Sequence, residues 1–363
     1  MSDYSNVYCV SSPLQILTAC EALRVFEADV NVLVLREVSA SRASHREQVE
    51  SLIDIGAWSS ILRWPSYGSS GALGLWRNAR HARHIASKVG RHCQYYFMGG
   101  FGQLRNHLLR NELSVEKTVL LDDGTATLGV VDKYLSKSRF VPDFLEAMLT
   151  QGAVRSRVYS ALMGLKKSDL DEPVSLFTGF NVPDGAAPGI TVRRHRFEAL
   201  KRQSMAKQFD DRLVFYFGSP LAEVGILSFA DEIKVIKRVF EQYRQADVRF
   251  CYVTHRDDSL QKMTELRTMG IDVRSLGMPA ELYFAKETSL PRHVASAVST
   301  ALFNVCCIVD GLRAKAFPVA ALVSDERKER HHRLSNAYAG IGIEIVDLFE
   351  GPSRGSAVVS VLG

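Results

Sequence analysis

The chain has 363 residues, a length that suits two domains rather than a single core. Hydrophobic residues make up 46% of it and charged residues 23%, proportions typical of a soluble globular protein. The formal net charge of +5 is too small to indicate a dedicated nucleic-acid binder, although it allows mild attraction to acidic sugars or to an anionic membrane face.

The sequence predicts a cytoplasmic protein. Residues 1–6 lack the basic region of a signal peptide, and no run approaches the roughly 18 apolar residues of a membrane span. The cysteines lie mostly in apolar segments without CxxC spacing, which favours reduced thiols over disulfides or zinc ligands. His331 and His332 are adjacent, so their side chains point apart and we expect no metal site there. A peripheral position on the inner membrane face is left open.

The first half of the chain alternates between strand-like and helix-like segments. The apolar spacing predicts strands over 7–10, 30–35, 60–64 and 95–98, and helices over 14–26 and 44–55. This alternation is typical of βαβ units around a parallel sheet. Gly99, Gly100 and Gly102 follow the last of these strands, where a glycine-rich loop can hold a substrate against backbone N–H groups. The loop lacks the full dinucleotide-binding pattern, so a tight turn explains it equally well.

Two carboxylates, Asp122 and Asp123, stand directly after the apolar run 118–121 and before Gly124. A short apolar run that ends at a turn signal predicts a buried strand, and ligand sites in open α/β sheets collect at the carboxyl ends of such strands. Adjacent acids repel each other, which raises the proton affinity of one of them and suits a general base. The alternative is a simple turn with a capping aspartate.

The pattern loosens between residues 135 and 210 and then resumes as a second α/β half. We expect a domain linker at about 190–210, strands over 212–217 and 248–253, and a helix over 229–246. The prediction is an α/β protein of two Rossmann-like domains, residues 1–200 and 201–363, with mainly parallel sheets facing a central cleft. The DxD sequence at 169–171 lies in a polar stretch and is interpreted as a solvated turn.

Polar residues also follow the predicted strands of the second half. Gly218 and Ser219 follow the first of these strands, and His255 follows the next. A histidine there could contact a phosphate or protonate a leaving group, although a structural role is the simpler alternative. We also expect a helix N-terminus whose hydroxyls would cradle a phosphate or merely cap the helix. These hydroxyls belong to Ser296, Ser299 and Thr300.

In their order along the chain, these motifs resemble those of the bacterial sialyltransferases, in the group that unites lipooligosaccharide sialyltransferases and capsular polysialyltransferases. The matching segments are 122–124, 217–225, 254–255, and 278–281 leading into 299–302, and the opening segment 8–15 is also similar to that group. One departure is Arg256, because the family usually has proline after the motif histidine. A guanidinium at this position adds an anion-binding fork.

The resemblance implies a GT-B fold and an inverting, metal-independent glycosyltransferase that needs no cofactor. Its donor would be a CMP-activated sialic acid or related nonulosonic acid. Its acceptor would be a hydroxyl of a bacterial surface glycan, either lipooligosaccharide or capsule. Residues 1–200 would hold the acceptor and residues 201–363 the donor. The alternatives are a transferase that uses another CMP- or UDP-sugar, and a catalytically silent nucleotide-sugar-binding subunit of a glycan assembly complex.

The resemblance also implies a role for each matching residue. Asp123 would be the general base with Asp122 as the fallback, and His255 would contact the CMP phosphate and help it depart. Glu281 would accept hydrogen bonds from the ribose hydroxyls. The other donor-binding residues would be Gly218, Ser219, Arg256, Ser299 and Thr300, and those near the acceptor would be Gly99, Gly100 and Gly102.

Two basic stretches, residues 76–91 and 192–202, stand outside these motifs. Either could guide an anionic acceptor glycan or touch the inner membrane leaflet. The simpler alternatives are a solvated helix face for the first stretch and a charged linker for the second.

Overall fold

The computed structural model describes residues 5–37, 43–67, 71–90, 92–150, 158, 161, 163–164, 172–182, 190–203 and 206–349. The chain forms two compact units. The first comprises Met1–Lys207, Leu276–Thr288 and Cys307–Val309, and the second comprises Gln208–Ser275, Ser289–Cys306 and Asp310–Gly363. The first unit is therefore built from three separate segments of the chain.

The first unit contains, in its described part, a parallel sheet of seven strands joined by helices. The strands are β1 (Ser5–Val10), β2 (Val30–Arg36), β3 (Ser60–Trp64), β4 (His92–Gly99), β5 (Ser114–Leu121), β6 (Val174–Thr178) and β7 (Val192–Arg194). The helices are α1 (Pro13–Val25), α2 (Ala43–Ile53), α3 (Ala72–Val89), α4 (Leu104–Glu112), α5 (Ala126–Lys133), α6 (Asp143–Thr150) and α7 (Glu198–Gln203). The strand order is β3-β2-β1-β4-β5-β6-β7, and each neighbouring pair is parallel.

The second unit contains a parallel sheet of six strands among the described residues. Its strands are β8 (Gln208–Phe217), β9 (Arg249–Val253), β10 (Asp272–Arg274), β11 (Ser289–Ser296), β12 (Arg313–Ala316) and β13 (Glu344–Ile345). The helices of this half of the chain are α8 (Phe229–Gln245), α9 (Leu260–Thr268), α10 (Ala280–Lys286), α11 (Thr300–Ile308) and α12 (Asp325–Ala339), of which α10 groups with the first unit. The strand order is β10-β9-β8-β11-β12-β13.

Local sequence explains how the first strand and helix form. All six residues of β1 are buried, as expected for a strand in the middle of a sheet covered on both faces. The helix α1 begins with a reciprocal capping box, in which the Ser12 side chain accepts a bond from the Gln15 backbone N–H and the Gln15 side chain accepts one from the Ser12 backbone. Pro13 occupies the first helical turn, where its missing N–H is not needed.

Apolar side chains tie the strands of each sheet together. In the first unit the rings of Tyr8 on β1 and Phe97 on β4 stack with centroids 4.3 Å apart. In the second unit Val214, Tyr252 and Ala295, on three adjacent strands, belong to one buried cluster. These contacts hold the central strands in register, so that their carboxyl ends form a defined edge.

Each sheet has one position where the strand order reverses direction. In the first unit this switch point lies between β1 and β4, and in the second it lies between β8 and β11. At a switch point the connections leave to opposite faces of the sheet and open a crevice beyond the carboxyl ends, where open α/β proteins bind ligands. The fold thus indicates one candidate ligand-binding edge in each unit.

The predicted class, an α/β protein of two Rossmann-like domains with parallel sheets, is confirmed. The boundary between residues 200 and 201 stays a prediction, and the DxD sequence at 169–171 lies outside the described residues. The expectation of a charged linker over 192–202 is wrong, because β7 and α7 lie in this segment, and the place of the domain linker stays a prediction. Arg193 and Arg194 are exposed on an edge strand, a position where charge discourages pairing with another chain.

The strand β11 was missed by the sequence analysis. It contains Pro291 and charged residues, and its pairing with β8 shifts register between Pro291 and His293. Proline in a strand is tolerated at such an irregularity because no ladder hydrogen bond is lost there. Ser296 ends this strand and does not begin a helix, contrary to expectation; the helix α11 starts at Thr300.

A buried histidine on α4 makes the stability of the fold depend on pH. The His107 side chain is fully buried, and its Nε2 lies 2.8 Å from the Phe101 carbonyl oxygen. Burial lowers the pKa of His107 from 6.5 to about 4, since a charged ring would lose its hydration there. The neutral ring therefore stabilises the fold above pH 6.5, and this contribution is lost as the pH falls towards 4.

Between pH 6.5 and pH 4, the unfolding free energy of the native chain should fall because His107 takes up a proton on unfolding. We expect His107→Gln to make this fall about 3 kcal/mol smaller. Glutamine keeps an N–H donor for Phe101 but does not titrate. Urea denaturation at a series of pH values measures the difference. An unchanged slope in the variant would mean that His107 does not titrate in this range.

Candidate functional site

At the switch point of the first unit, the Gln15 side chain links the ends of two strands. Its Oε1 accepts hydrogen bonds from the backbone N–H groups of Ser11 at 2.8 Å and Ser12 at 3.3 Å, just after β1. Its Nε2 donates to Asp123 Oδ1 at 2.7 Å, just after β5. Because Gln15 is buried, it holds Asp123 in a defined orientation at the carboxyl edge.

The glycines after β4 make room for these two side chains. A Cβ at Gly99 would lie 2.6 Å from Gln15 Oε1, and one at Gly100 would lie 3.3 Å from Asp123 Oδ2. Gly100 also has a φ of +90°, which favours glycine. Gly102 faces open space and lines a cavity instead. The predicted glycine loop thus lies beside the predicted carboxylate, although no acceptor contact for the three glycines follows from this.

The two adjacent aspartates have different surroundings. Asp122 is 4% exposed and accepts hydrogen bonds of 2.6 Å from Thr178 Oγ1 and from the Gly179 backbone N–H, while His195 Nε2 lies 3.3 Å away. Asp123 is half-buried, and among the described residues its Oδ2 accepts no hydrogen bond. Asp122 therefore joins β5 to β6, whereas Asp123 keeps one carboxylate oxygen without a hydrogen bond from the described residues.

At the switch point of the second unit, serine hydroxyls close the gap between β8 and β11. Ser219 Oγ donates to the Val298 carbonyl, and Ser296 Oγ donates to the Phe217 carbonyl at 2.8 Å. Gly218 beside them is required by packing, because a Cβ there would lie 2.4 Å from the hydroxyl of Tyr252. The predicted nucleotide contacts of Gly218 and Ser219 stay predictions.

The helix α11 begins at this same edge. The backbone N–H of Ser299 donates to the Tyr338 hydroxyl at 3.0 Å, and that hydroxyl donates to the Ser299 carbonyl at 2.9 Å. The Ser299 N–H is therefore not a free donor, while Thr300 is the first residue of the helix. Contacts of Ser299 and Thr300 with a phosphate stay predictions.

The turn after β9 presents a histidine and an arginine. The Asp257 backbone N–H donates to His255 Nδ1 at 3.1 Å, so Nδ1 is an acceptor and Nε2 carries the ring proton. Burial, helped by the charge of Arg256, lowers the pKa of His255. At neutral pH His255 is therefore a neutral donor through Nε2–H. The cation of this turn is the Arg256 guanidinium, whose side chain is 33% exposed and whose Nε lies 3.6 Å from the Asp257 carboxylate.

A carboxylate beneath the turn holds it in place. Asp258 Oδ2 accepts hydrogen bonds from the His255 backbone N–H at 2.7 Å and from the Tyr252 hydroxyl at 3.0 Å. Since the Asp258 side chain is completely buried, its charge needs a partner inside the protein. That partner is a lysine on α9.

The buried ammonium of Lys262 joins three segments at the carboxyl edge of the second unit. It lies 2.9 Å from Asp258 after β9, 2.8 Å from Glu223 after β8 and 2.7 Å from Glu232 on α8. It also donates to the Ser219 carbonyl at 3.2 Å. Although burial opposes the charge, the carboxylates, Asp258 first, raise the pKa of Lys262, which therefore stays protonated.

Glu281, predicted to contact a ribose, lies in the first turn of α10, which groups with the first unit. Its side chain is 7% exposed. The ribose contact stays a prediction. The sequence did not predict a site role for Gln15 or Lys262. The only local signals for them are the capping box at Ser12 and the i, i+4 spacing of Asp258 and Lys262.

The described residues contain no helix long and apolar enough to cross a membrane. Within the same residues, no group of three or more histidine, cysteine, aspartate or glutamate side chains is arranged to hold a metal ion.

No protein-family model matches the chain, and no curated protein matches it by sequence. Among solved structures it is similar to the UDP-GlcNAc 2-epimerase from Methanocaldococcus jannaschii, with a TM-score of 0.50 and 10% identity over 94% of this chain and 89% of that one. It is also similar to the UDP-GlcNAc 2-epimerase from Neisseria meningitidis bound to UDP-GlcNAc, with a TM-score of 0.49 and 9% identity over 92% and 90% of the two chains. At these identities the likeness shows the fold, which is GT-B-like.

The expectation of a bacterial sialyltransferase is wrong, since the solved structure that matches with a TM-score of 0.50 is a UDP-GlcNAc 2-epimerase. The corrected points are transferase activity, a CMP-activated sialic acid or nonulosonic acid as donor, and a lipooligosaccharide or capsule glycan as acceptor. Among the alternatives, a transferase that uses a UDP-sugar shares only the UDP nucleotide with the substrate in the name of this neighbour. The physical reason for the error is that the motifs are short and have internal explanations, such as the packing of Gly218 on Tyr252.

The two aspartates should differ in their effect on stability. We expect Asp122→Asn to lower the unfolding free energy by about 2–3 kcal/mol, because it places an amide against two hydrogen-bond donors. Asp123→Asn should change it by less than about 1 kcal/mol, because the amide oxygen can still accept from Gln15. Chemical denaturation of the two variants measures this, and equal losses would contradict the assignment.

We expect Lys262→Met to cost about 3–5 kcal/mol, since it leaves three carboxylates without their cation. Without Lys262, Asp258 loses its ion-pair partner and should bond less strongly to the backbone N–H of His255. The amide proton of His255 should therefore exchange with solvent faster. Hydrogen exchange and urea denaturation measure the two effects. Lys237→Met, an exposed change on α8, is the matched control. A loss no larger than that of the control would show that the ammonium is dispensable.

Proposed function

We propose that this protein binds a UDP-linked N-acetylhexosamine and isomerises its sugar. One observation carries the proposal: the turn after β9 offers an arginine and a neutral histidine donor next to the switch point of a Rossmann sheet. The fold likeness to the UDP-GlcNAc 2-epimerase of Methanocaldococcus jannaschii supports the choice of nucleotide sugar and of reaction class.

The second unit would bind the diphosphate. A diphosphate carries negative charge on several oxygens, and the planar Arg256 guanidinium can donate two parallel hydrogen bonds to such a group. His255 would add one donor, and because its ring is already neutral it need not lose a proton on binding. Lys262 would act as a positioning residue, since through Asp258 it holds the backbone of this turn.

The first unit, taken by itself, contains a candidate general base. If a ring carbon is inverted by proton transfer, a proton leaves one face of the ring and another arrives at the opposite face, so a base is needed. Asp123 suits this role because Gln15 orients its Oδ1 and its Oδ2 stays available. A route by proton transfer moves no hydride, so we expect it to need neither a metal nor a redox cofactor.

We place the protein in the cytoplasm. None of the six cysteines, all of which lie among the described residues, forms a disulfide, and five of them are buried, which fits a reducing compartment. A peripheral position at the inner membrane face stays a prediction.

Binding measurements test which nucleotide the protein prefers. In isothermal titration calorimetry, we expect UDP and UDP-GlcNAc to bind at least tenfold more tightly than CMP. Arg256→Ala should weaken the binding of UDP at least about tenfold, because one charge-assisted hydrogen bond contributes about 1.5–3 kcal/mol.

The matched control for Arg256 is Arg267→Ala, which removes the same exposed charge from the last turn of α9, at the amino edge of the sheet. It should leave the affinity for UDP unchanged. Equal or tighter binding of CMP, or equal effects of the two substitutions, would contradict a UDP site at the β9 turn.

Proton NMR in D2O tests the chemistry. With UDP-GlcNAc, the protein should replace one ring proton by deuterium and produce a second anomeric signal, with or without EDTA. Asp123→Asn should bind UDP-GlcNAc within about threefold of the native affinity but exchange the proton at least about 100-fold more slowly. Tight binding of UDP without any exchange would refute the isomerase and leave the nucleotide site standing.

A further inference from the structure

The helix α3 borders a cavity of the first unit that the proposed reaction does not use. Its volume is about 340 Å³, within the range of small-molecule sites. Tyr67 after β3 forms one side, and α3 forms the rest. The residues that line it are Tyr67, Trp76, Arg77, Arg80, His81 and His84.

The positive charge of this cavity has no counter-charge in the described structure. The helix α3 contains no acidic residue. Arg83 points to the neighbouring helix and pairs with Glu112 at 3.1 Å. By contrast, Arg77 and Arg80 are exposed and form no ion pair with any described residue. Two guanidinium groups at i, i+3 repel each other, so an anion placed between them would be stabilised.

The aromatic side chains give the same cavity a flat apolar wall. Trp76 is 40% exposed, and the Arg80 guanidinium lies 5.5 Å from the centre of its ring. The Tyr67 hydroxyl lies 3.2 Å from His81 Nδ1, and His81 Nε2 lies 3.1 Å from the Arg63 carbonyl oxygen. Burial lowers the pKa of His81, so this histidine is a neutral support for Tyr67 and not a part of the positive charge.

We propose that this cavity binds a small sugar that carries a phosphate or carboxylate group. The sugar ring would lie against Trp76 with its C–H groups on the indole, and the anionic group would lie between Arg77 and Arg80. The cation–π contact of Arg80 with Trp76 keeps the ring and the charge side by side, so the ligand needs both features.

The site is separate from the edge that holds Asp123. Tyr67 follows β3, whereas Asp123 follows β5, and the strands β2, β1 and β4 lie between them. At about 4.8 Å per strand this is roughly 19 Å. The proposal therefore does not depend on the proposed function.

A neighbouring cavity gives a longer ligand room to extend. It has a volume of about 490 Å³ and shares Tyr67, and its lining includes Gln103 and the exposed ring of Phe144. A substituent on the bound sugar could continue past Tyr67 towards these side chains.

Intrinsic fluorescence tests the site, because Trp76 is the exposed indole among the three tryptophans, while Trp58 is half-buried and Trp64 is completely buried. We expect glucose 6-phosphate and glucuronate each to cause a saturable change, and glucose to cause none. Comparing the two anions shows whether phosphate or carboxylate is preferred. Inorganic phosphate and UMP should bind at least tenfold more weakly than the better sugar anion. Saturation-transfer NMR on the same ligands provides a second measurement.

The variant Arg77→Ala/Arg80→Ala should weaken binding of the sugar anions at least about tenfold, and Trp76→Phe should abolish the fluorescence change. Arg83→Ala, on the same helix but paired with Glu112, is the matched control and should leave binding unchanged. Equal binding of glucose, of phosphate or of UMP would overturn the proposal, as would sugar-anion binding that persists in the double variant or is absent by both methods.

Discussion

The carboxyl edge of the second unit depends on one buried ammonium group. Lys262 is completely shielded from solvent and bonds to carboxylates from three different segments. Without it, the negative charges of Asp258, Glu223 and Glu232 would repel one another inside the protein. Because Asp258 in turn holds the backbone of His255, the conformation of the His255–Arg256 turn follows from this buried ion cluster. Buried charge here stabilises a particular loop arrangement.

In the first unit, the loops at the carboxyl edge are held by an uncharged side chain. Gln15 bonds to the end of β1 and to Asp123 after β5, and Gly99 leaves it the necessary space. In each unit, therefore, a buried polar side chain from a helix orders the loops at the switch point. The exposed groups that follow differ in character: a carboxylate in the first unit, and an arginine with a neutral histidine in the second.

The short motifs were a good guide to position and a poor guide to family. Asp122–Asp123, Gly218–Ser219 and His255 do follow parallel strands, as apolar runs and turn residues predicted. Their presence did not identify a donor, because polar residues and glycines gather at this edge in Rossmann-like sheets generally. Asp122 shows the limit well: it looked like half of a catalytic pair, yet its carboxylate bonds to Thr178 and Gly179.

The sequence by itself determined the alternation of strands and helices, hence two parallel α/β sheets, and it located the candidate groups at strand ends. These features depend on residues close together in the chain, where periodicity and turn chemistry are readable. Only the tertiary structure distinguished Asp123 from Asp122, revealed β11 around Pro291, and brought Lys262 to Glu223 and Glu232, which are 39 and 30 residues away. Such contacts depend on packing between distant segments, which leaves no local pattern in the sequence.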